Sequence, residues 1–320
     1  MLLPAPPRPR LLVVSSRYAG LPSPPVLEST VSSTPSAVPD GLRPLGSTPP
    51  LRDYLAELWE RRQFALTSAF GDLRAEHMNT ALGNLWHLLN PILLIAVYWL
   101  IFDVVLNISR GGLENFLGFL TVGILAYQWS QRTIVEGAKT IVRNEGMIRS
   151  LQFPRALLPL ATLLKHTISF APSFVLMLVV ILATGEGISV AWLIVIPAFV
   201  LQVMFNMGSV LFIARVADRF HDTTNLLPFL FRLAFYGSGV IFAVDTRFST
   251  VFTREWVVWI FIANPFYAML GLWREGLMTT YEITTHEVHW LWVSASVWAV
   301  VGLVVGLQFF RAGEKDYGRG

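Results

Sequence analysis

The sequence predicts an all-α protein that crosses a membrane several times, and three observations predict it. Apolar residues make up 54% of the chain and charged residues 14%, with a mean hydropathy of +0.55. Several stretches approach or pass the roughly 18–20 apolar residues that a helix needs to span a bilayer. The 11 Trp and 22 Phe suit the aromatic belts of membrane interfaces. Cysteine is absent, which excludes disulfides, thiol nucleophiles and thiolate metal sites. A formal charge of +3 is too small to imply a nucleic-acid partner. Lysine occurs only at Lys139, Lys165 and Lys315 while arginine is abundant, a bias that points to a GC-rich genome.

Residues 1–50 are rich in Pro and Ser and bury too little apolar surface to fold, so a disordered cytosolic tail is expected. Over 51–75, Leu51, Tyr54, Leu55, Leu58, Trp59, Leu66, Phe70 and Leu73 recur at helical spacing, with Arg52, Asp53, Glu57, Glu60, Arg61 and Gln63 on the other face. That pattern predicts one amphipathic helix lying in the membrane interface, within a region 51–83 that precedes the spans. A six-span membrane domain is expected over 84–311. The first span begins near Asn90-Pro91, with Pro91 in its first turn, and runs to about Leu106. The second covers about Phe116 to Ile134, the third Leu157 to Ala183, and the fourth Val190 to Ile213, with a kink expected at Pro197. The fifth covers Leu226 to Val244 and holds Arg232 and Gly237-Ser238-Gly239. Residues 253–280 are apolar but broken at Asn264-Pro265, which predicts two re-entrant half-helices. The sixth span runs from Val288 to Phe310, and 312–320 form a polar tail.

Basic residues cluster in the N-terminal stretch, in the loop after span two (Lys139, Arg143, Arg149, Arg155), after span four (Arg215, Arg219) and in the tail (Arg311, Lys315, Arg319). The intervening loops hold Arg110, and the broken segment holds Arg247, Arg254 and Arg274. The positive-inside rule then puts both termini in the cytosol and the broken hairpin outside. The loop from Val142 to Leu163 carries a helical apolar pattern (Met147, Ile148, Leu151) among Arg143, Glu145 and Arg149. Such a helix outside the bilayer needs a surface to press against, either a protein partner or lipid headgroups.

No GxxxxGK[ST] loop occurs, so an active transporter of this sequence takes its energy from a partner. His286-Glu287-Val288-His289 is not HExxH, since Trp290 stands where the second His would fall, and no metal site is expected. No acid or Ser-His-Asp constellation supports a membrane-bound transferase.

Residues 80–91, TALGNLWHLLNP, resemble the stretch before the first span of ABC-2 type permeases that export polysaccharides. Asn144 to Ala161, NEGMIRSLQFPRALLPLA, resembles that family's cytosolic loop, its FPR and LPLA elements above all. Arg219-Phe220-His221-Asp222 with Leu227-Pro228, and Asn264-Pro265-Phe266 with Arg274, resemble two further segments. The likeness covers about 51–315 and is nearest to permeases for O-antigen, teichoic acid and cell-wall galactan; ABC-2 exporters of drugs or small lipids share the architecture.

The resemblance implies a permease homodimer in the bacterial cytoplasmic membrane, joined by two copies of a cytosolic ABC ATPase that binds the ATP and Mg, with no cofactor on this chain. It implies a coupling helix over 143–153, with Arg143, Glu145, Met147, Ile148, Arg149, Leu151, Phe153, Pro154 and Arg155 meeting the ATPase. It implies a gate helix over 51–75 in which Arg52, Arg61, Arg62 and Arg74 receive the pyrophosphate of a lipid-linked glycan, or else anionic membrane headgroups. Tyr98, Trp99, Tyr127, Trp129 and Tyr236 are candidates to line the glycan path, as amphipathic aromatics in or near spans. Arg232 joins them as a charge within a span, unless it snorkels to the interface.

Overall fold

The computed structural model describes residues 50–76, 85–105, 113–151, 153–243, 255–281, 285–314 and 317. The expected tail over 1–49, residues 80–84 of the motif before the first span, Arg110, Arg247, Arg254, Lys315 and Arg319 lie outside them. The described residues are helical, with no strand among them. In chain order they form α1 (Leu51–Glu60), α2 (Arg62–Glu76), α3 (Trp86–Trp99), a π-helical turn (Leu100–Val105), α4 (Phe116–Gly137), α5 (Thr140–Arg143) and α6 (Glu145–Ser150). Then follow α7 (Leu157–Ala183), a 3₁₀ turn (Val190–Ile194), α8 (Val195–Arg219), α9 (Thr223–Gly237), α10 (Glu255–Ala263), α11 (Pro265–Leu277) and α12 (Thr285–Ala312).

Four helical stretches are long and apolar enough to cross a membrane: Leu88–Val105, Leu157–Ala183, Val190–Arg219 and Val288–Ala312. This is a multi-pass membrane protein. Helix α4 has the length, but Gln128, Gln131, Arg132 and Glu136 lower its hydropathy, and it is buried along most of its course. It is the central helix, packed by α3, α7, α8, α9 and α11. Its N-terminus is capped by Asn115, whose Oδ1 accepts from the Gly118 amide at 2.8 Å, satisfying one orphan donor of the first turn.

The longest helix–helix contact joins α8 to α12, and small residues permit it. A Cβ on Gly208 would lie 2.4 Å from the Gly302 carbonyl carbon, and one on Gly306 would lie 2.2 Å from the Gly208 oxygen. Gly302 and Gly306 are four apart on one face of α12, so the two backbones meet directly.

Several boundaries differ from expectation. The single amphipathic helix is two helices, α1 and α2, that part at Arg61. Tyr54 is buried, while Leu51, Leu55, Trp59, Leu66 and Phe70 remain exposed. Helix α3 starts at Trp86, so Pro91 is in its interior rather than its first turn. Pro197 sits in the first turn of α8, because residues 190–194 are 3₁₀ rather than α-helical. There its missing N–H costs no helical bond, so no interior kink arises. Helix α9 stops at Gly237 instead of Val244. The chain turns through Gly239, at φ +62°, a left-handed conformation that glycine adopts without strain.

The stop is held by side chains of α11 and its N-cap. Asn264 donates from Nδ2 to the Gly237 carbonyl at 3.1 Å and accepts from the Phe266 amide at 3.0 Å. Pro265 follows at N1, so the expected break at Asn264-Pro265 is a capped helix start. Arg274, fully buried, donates to the carbonyls of Gly239 at 2.9 Å and Val240 at 3.1 Å. Its guanidinium lies 3.4 Å from the centre of the Phe119 ring. Gly123 leaves room for it: a Cβ there would lie 2.6 Å from Arg274 Nη2.

Candidate functional site

The loop after α4 folds into two short helices rather than one over 143–153, because Asn144 leaves helical geometry between them (φ −110°, ψ 20°). Ile148 is buried and clusters with Ile141, Ala156, Leu158 and Tyr54. It anchors α6 to its own chain, which removes it from an outward docking set. Met147 is half-buried on the same cluster. Arg143, Arg149 and Leu151 are exposed, and Arg149 pairs with Glu145 across one helical turn at 3.4 Å.

Phe153, Pro154 and Arg155 also face inward. The Phe153 ring lies 5.7 Å from Phe64 of α2, and Pro154 is buried. The Arg155 amide donates to the Glu314 carboxylate at 2.8 Å, and its guanidinium donates to the Glu314 carbonyl. Tyr54 donates to the same carboxylate at 3.2 Å, and Arg155 stands over the Tyr317 ring. The FPR element therefore ties α1, α2 and the C-terminal segment to the base of α7. That knot fixes the surface from which Arg149 and Leu151 project.

Arg52, Arg61, Arg62 and Arg74 are exposed along α1 and α2 and are not gathered at one point. Arg61 pairs with Glu57 at 3.0 Å. Arg62 donates to the Trp59 carbonyl at 2.9 Å and lies 4.8 Å from that ring. None of the four lines the large cavity beside α2; the side chains that α2 sends there are Ser68, Asp72 and Glu76.

That cavity, of about 920 Å³, lies between α2, α4, α5 and α7, with Trp86 and Asn90 of α3 at one edge. Glu136 on its wall accepts from Lys165 Nζ at 2.7 Å and lies 2.8 Å from His166 Nε2. Arg143 stands 3.9 Å away, and Lys165 also reaches Glu76 at 3.2 Å. At the opposite end of α4, Glu186 is buried and accepts from the Thr279 amide at 2.6 Å, the Thr279 hydroxyl at 2.7 Å, Asn115 Nδ2 at 3.0 Å and the Thr280 hydroxyl. Burial pushes its carboxyl up, and these donors more than reverse the push.

The expected path aromatics divide. Tyr127 is buried, donating to the Phe231 carbonyl at 2.5 Å, and Trp129 is stacked between Phe170 and Phe199 at 4.5 and 5.1 Å. Both rings are packed inside the chain. Tyr98 is half-buried against Phe102 and Phe235. Trp99 on α3 and Arg232 and Tyr236 on α9 are exposed. Lys165, His166 and Glu136 were not singled out from the sequence, although two ionisable residues inside an apolar run were a readable signal.

No protein-family model matches the chain. The chain is 25% identical over 236 residues to the O-antigen export system permease protein RfbA of Klebsiella pneumoniae, covering 73% of this chain and 87% of that protein. It is 30% identical over 192 residues to the protein of the same name from Myxococcus xanthus, covering 59% of this chain and 72% of that one. The matched lengths exceed any single motif and take in most of the helical domain, so the chain belongs to the ABC-2 type family of O-antigen export system permeases.

Proposed function

We propose that this chain is the permease of an ATP-driven ABC exporter that carries a lipid-linked polysaccharide across the bacterial cytoplasmic membrane. Membership of the permease family supports this reading, as does the lack of a P-loop in a chain whose basic residues gather on alternate loops. The four long apolar helices, with α4 and α9 added, make six spans with both termini cytosolic, and α10 and α11 form a pair on the outer side. The exposed apolar sides of α3 (Leu93, Val97) and α9 (Leu230, Leu233) meet their equivalents in a second copy, as twofold oligomers commonly do. In each protomer the aromatic and arginine side chains on those helices, Trp99, Arg232 and Tyr236, face the path between them. The arginines of α1 and α2 hold the anionic lipid head at the entrance.

The observation that carries the reading is α6 with its exposed Arg149 and Leu151, braced from behind by Ile148 and by the Arg155–Glu314 knot. A rigid exposed helix of this kind transmits a partner's movement rather than absorbing it. Its partner is an ABC ATPase dimer that closes on ATP. The test is copurification: Arg149→Glu with Leu151→Asp is expected to lose the ATPase while membrane insertion is unchanged. An ATPase that still copurifies with that variant means that α6 is not the dock.

A further inference from the structure

We propose that the cavity between α2, α4, α5 and α7 is a carbohydrate subsite, holding hydroxyl-bearing sugar rings of the substrate before they enter the path. This rests on the export reading above and adds residues to it. The cavity lining carries Asp72, Glu76 and Glu136 against Arg132, Lys139 and Arg143; Glu136 also takes Lys165 and His166, and Glu76 takes Lys165. No concentrated positive field remains to select a phosphate. Acids and bases are equal in number along the lining. The side chains of Gln131, Asn90, Asp72 and Lys139 have no hydrogen-bond or ion-pair partner among the described residues. Gln128 accepts from Arg132 at 3.2 Å and keeps its amide hydrogens. Carboxamides and carboxylates match sugar hydroxyls because a hydroxyl donates and accepts at once, and the Trp86 indole at the rim supplies a flat apolar surface.

The inner end of the site carries an independent sign. A small second cavity of about 40 Å³ shares Gln128, Arg132, His166 and Glu76 with the large one and is lined also by Trp129 and Ser169. Trp129 is 3% exposed, and both its indole N–H and the Ser169 hydroxyl are buried with no hydrogen-bond partner among the described residues. Buried polar groups in folded proteins are rarely left so. The space admits about one water-sized group, which fits a sugar hydroxyl or hydroxymethyl tip. The large cavity is near the upper end of the size of small-molecule pockets, roughly 300–1,000 Å³, and accommodates the rings behind that tip.

The test uses the full chain in its own membrane. Gln131→p-benzoylphenylalanine, irradiated in cells, is expected to give adducts that form a glycan ladder and vanish when the host's glycan synthesis is blocked. The same substitution at the exposed Val179 of α7 is expected to give no ladder. Adducts at position 131 that carry phospholipid alone overturn the subsite, and so does the lack of any glycan adduct. As a second arm, Asn90→Ala with Gln131→Ala is expected to lower export at least tenfold at normal membrane level and normal ATPase copurification. Unchanged export overturns the proposal. Both arms are read in a strain whose export stops on depletion of this chain; export that survives depletion defeats the export reading itself, and is distinct from a failed crosslink.

Discussion

Lys165 Nζ lies 3.2 Å from the Glu76 carboxylate, joining α7 to the last residue of α2. The same ammonium lies 2.7 Å from Glu136 at the end of α4, so one buried lysine holds three helices around the cavity. Glu76 is about a third exposed, at 35% for its side chain, and Lys165 keeps Glu136 without it. Glu76→Gln is therefore expected to cost only about 1 kcal/mol. Its larger effect is to free α2, seen as faster amide exchange over 62–76. Glu136→Gln leaves Lys165 buried beside a neutral group and is expected to cost about 3–5 kcal/mol, measured as loss of thermal stability in detergent. Equal effects of the two substitutions would contradict the geometry.

Glu186 supplies a pH signature. Its carboxyl is held below the ordinary glutamate value, so the folded chain releases the proton more readily than the unfolded one. Its contribution is then full above the unfolded value of about 4.3 and drains away as pH falls through the folded value. Thermal stability of the detergent-solubilised protein is expected to fall as pH is lowered below about 5. Glu186→Gln should lower stability at neutral pH and flatten that fall. A variant with the same slope as the parent would remove Glu186 from the explanation.

Arg274 caps the turn after α9 from inside the protein. Arg274→Ala leaves the Gly239 and Val240 carbonyls without their donor, at about 1–3 kcal/mol for each buried group, and is expected to reduce the yield of folded protein. Arg274→Lys should recover only part of it, since one ammonium does not reproduce a planar fork that serves two carbonyls. Full recovery by lysine would show that charge alone is required. Gly123→Ala, which brings a methyl to 2.6 Å from the guanidinium, should resemble the alanine variant without altering Arg274.

Much of the fold was readable. The range of α7 matches the apolar run from Leu157 to Ala183, and Asn264-Pro265 announced a helix start through two local signals, an Asn N-cap and Pro at N1. The misread boundaries share a cause: tertiary contacts override the local pattern. Hydropathy continues past Gly237, but carbonyls turned toward Arg274 and Asn264 end the helix there. Ile148 belongs to the apolar pattern of α6, yet the pattern does not say whether the chain or a partner receives it. The Lys165–Glu136 pair joins residues 29 apart on different helices, and no spacing rule connects them. Tyr127 and Trp129 had the chemistry of path residues, and the five phenylalanines folded around them pack both rings inside the chain. The contact of Gly208 with Gly302 and Gly306 had half a signal, the four-residue spacing on α12, and nothing local marks its partner.

The most direct measurement of the central claim is depletion of this chain in its host, followed by analysis of lipid-linked glycans extracted from the membrane. Export by this permease predicts that a complete lipid-linked glycan accumulates on the cytosolic leaflet while its surface form declines. If no lipid-linked glycan accumulates and the surface glycan is unchanged, the chain is not its exporter.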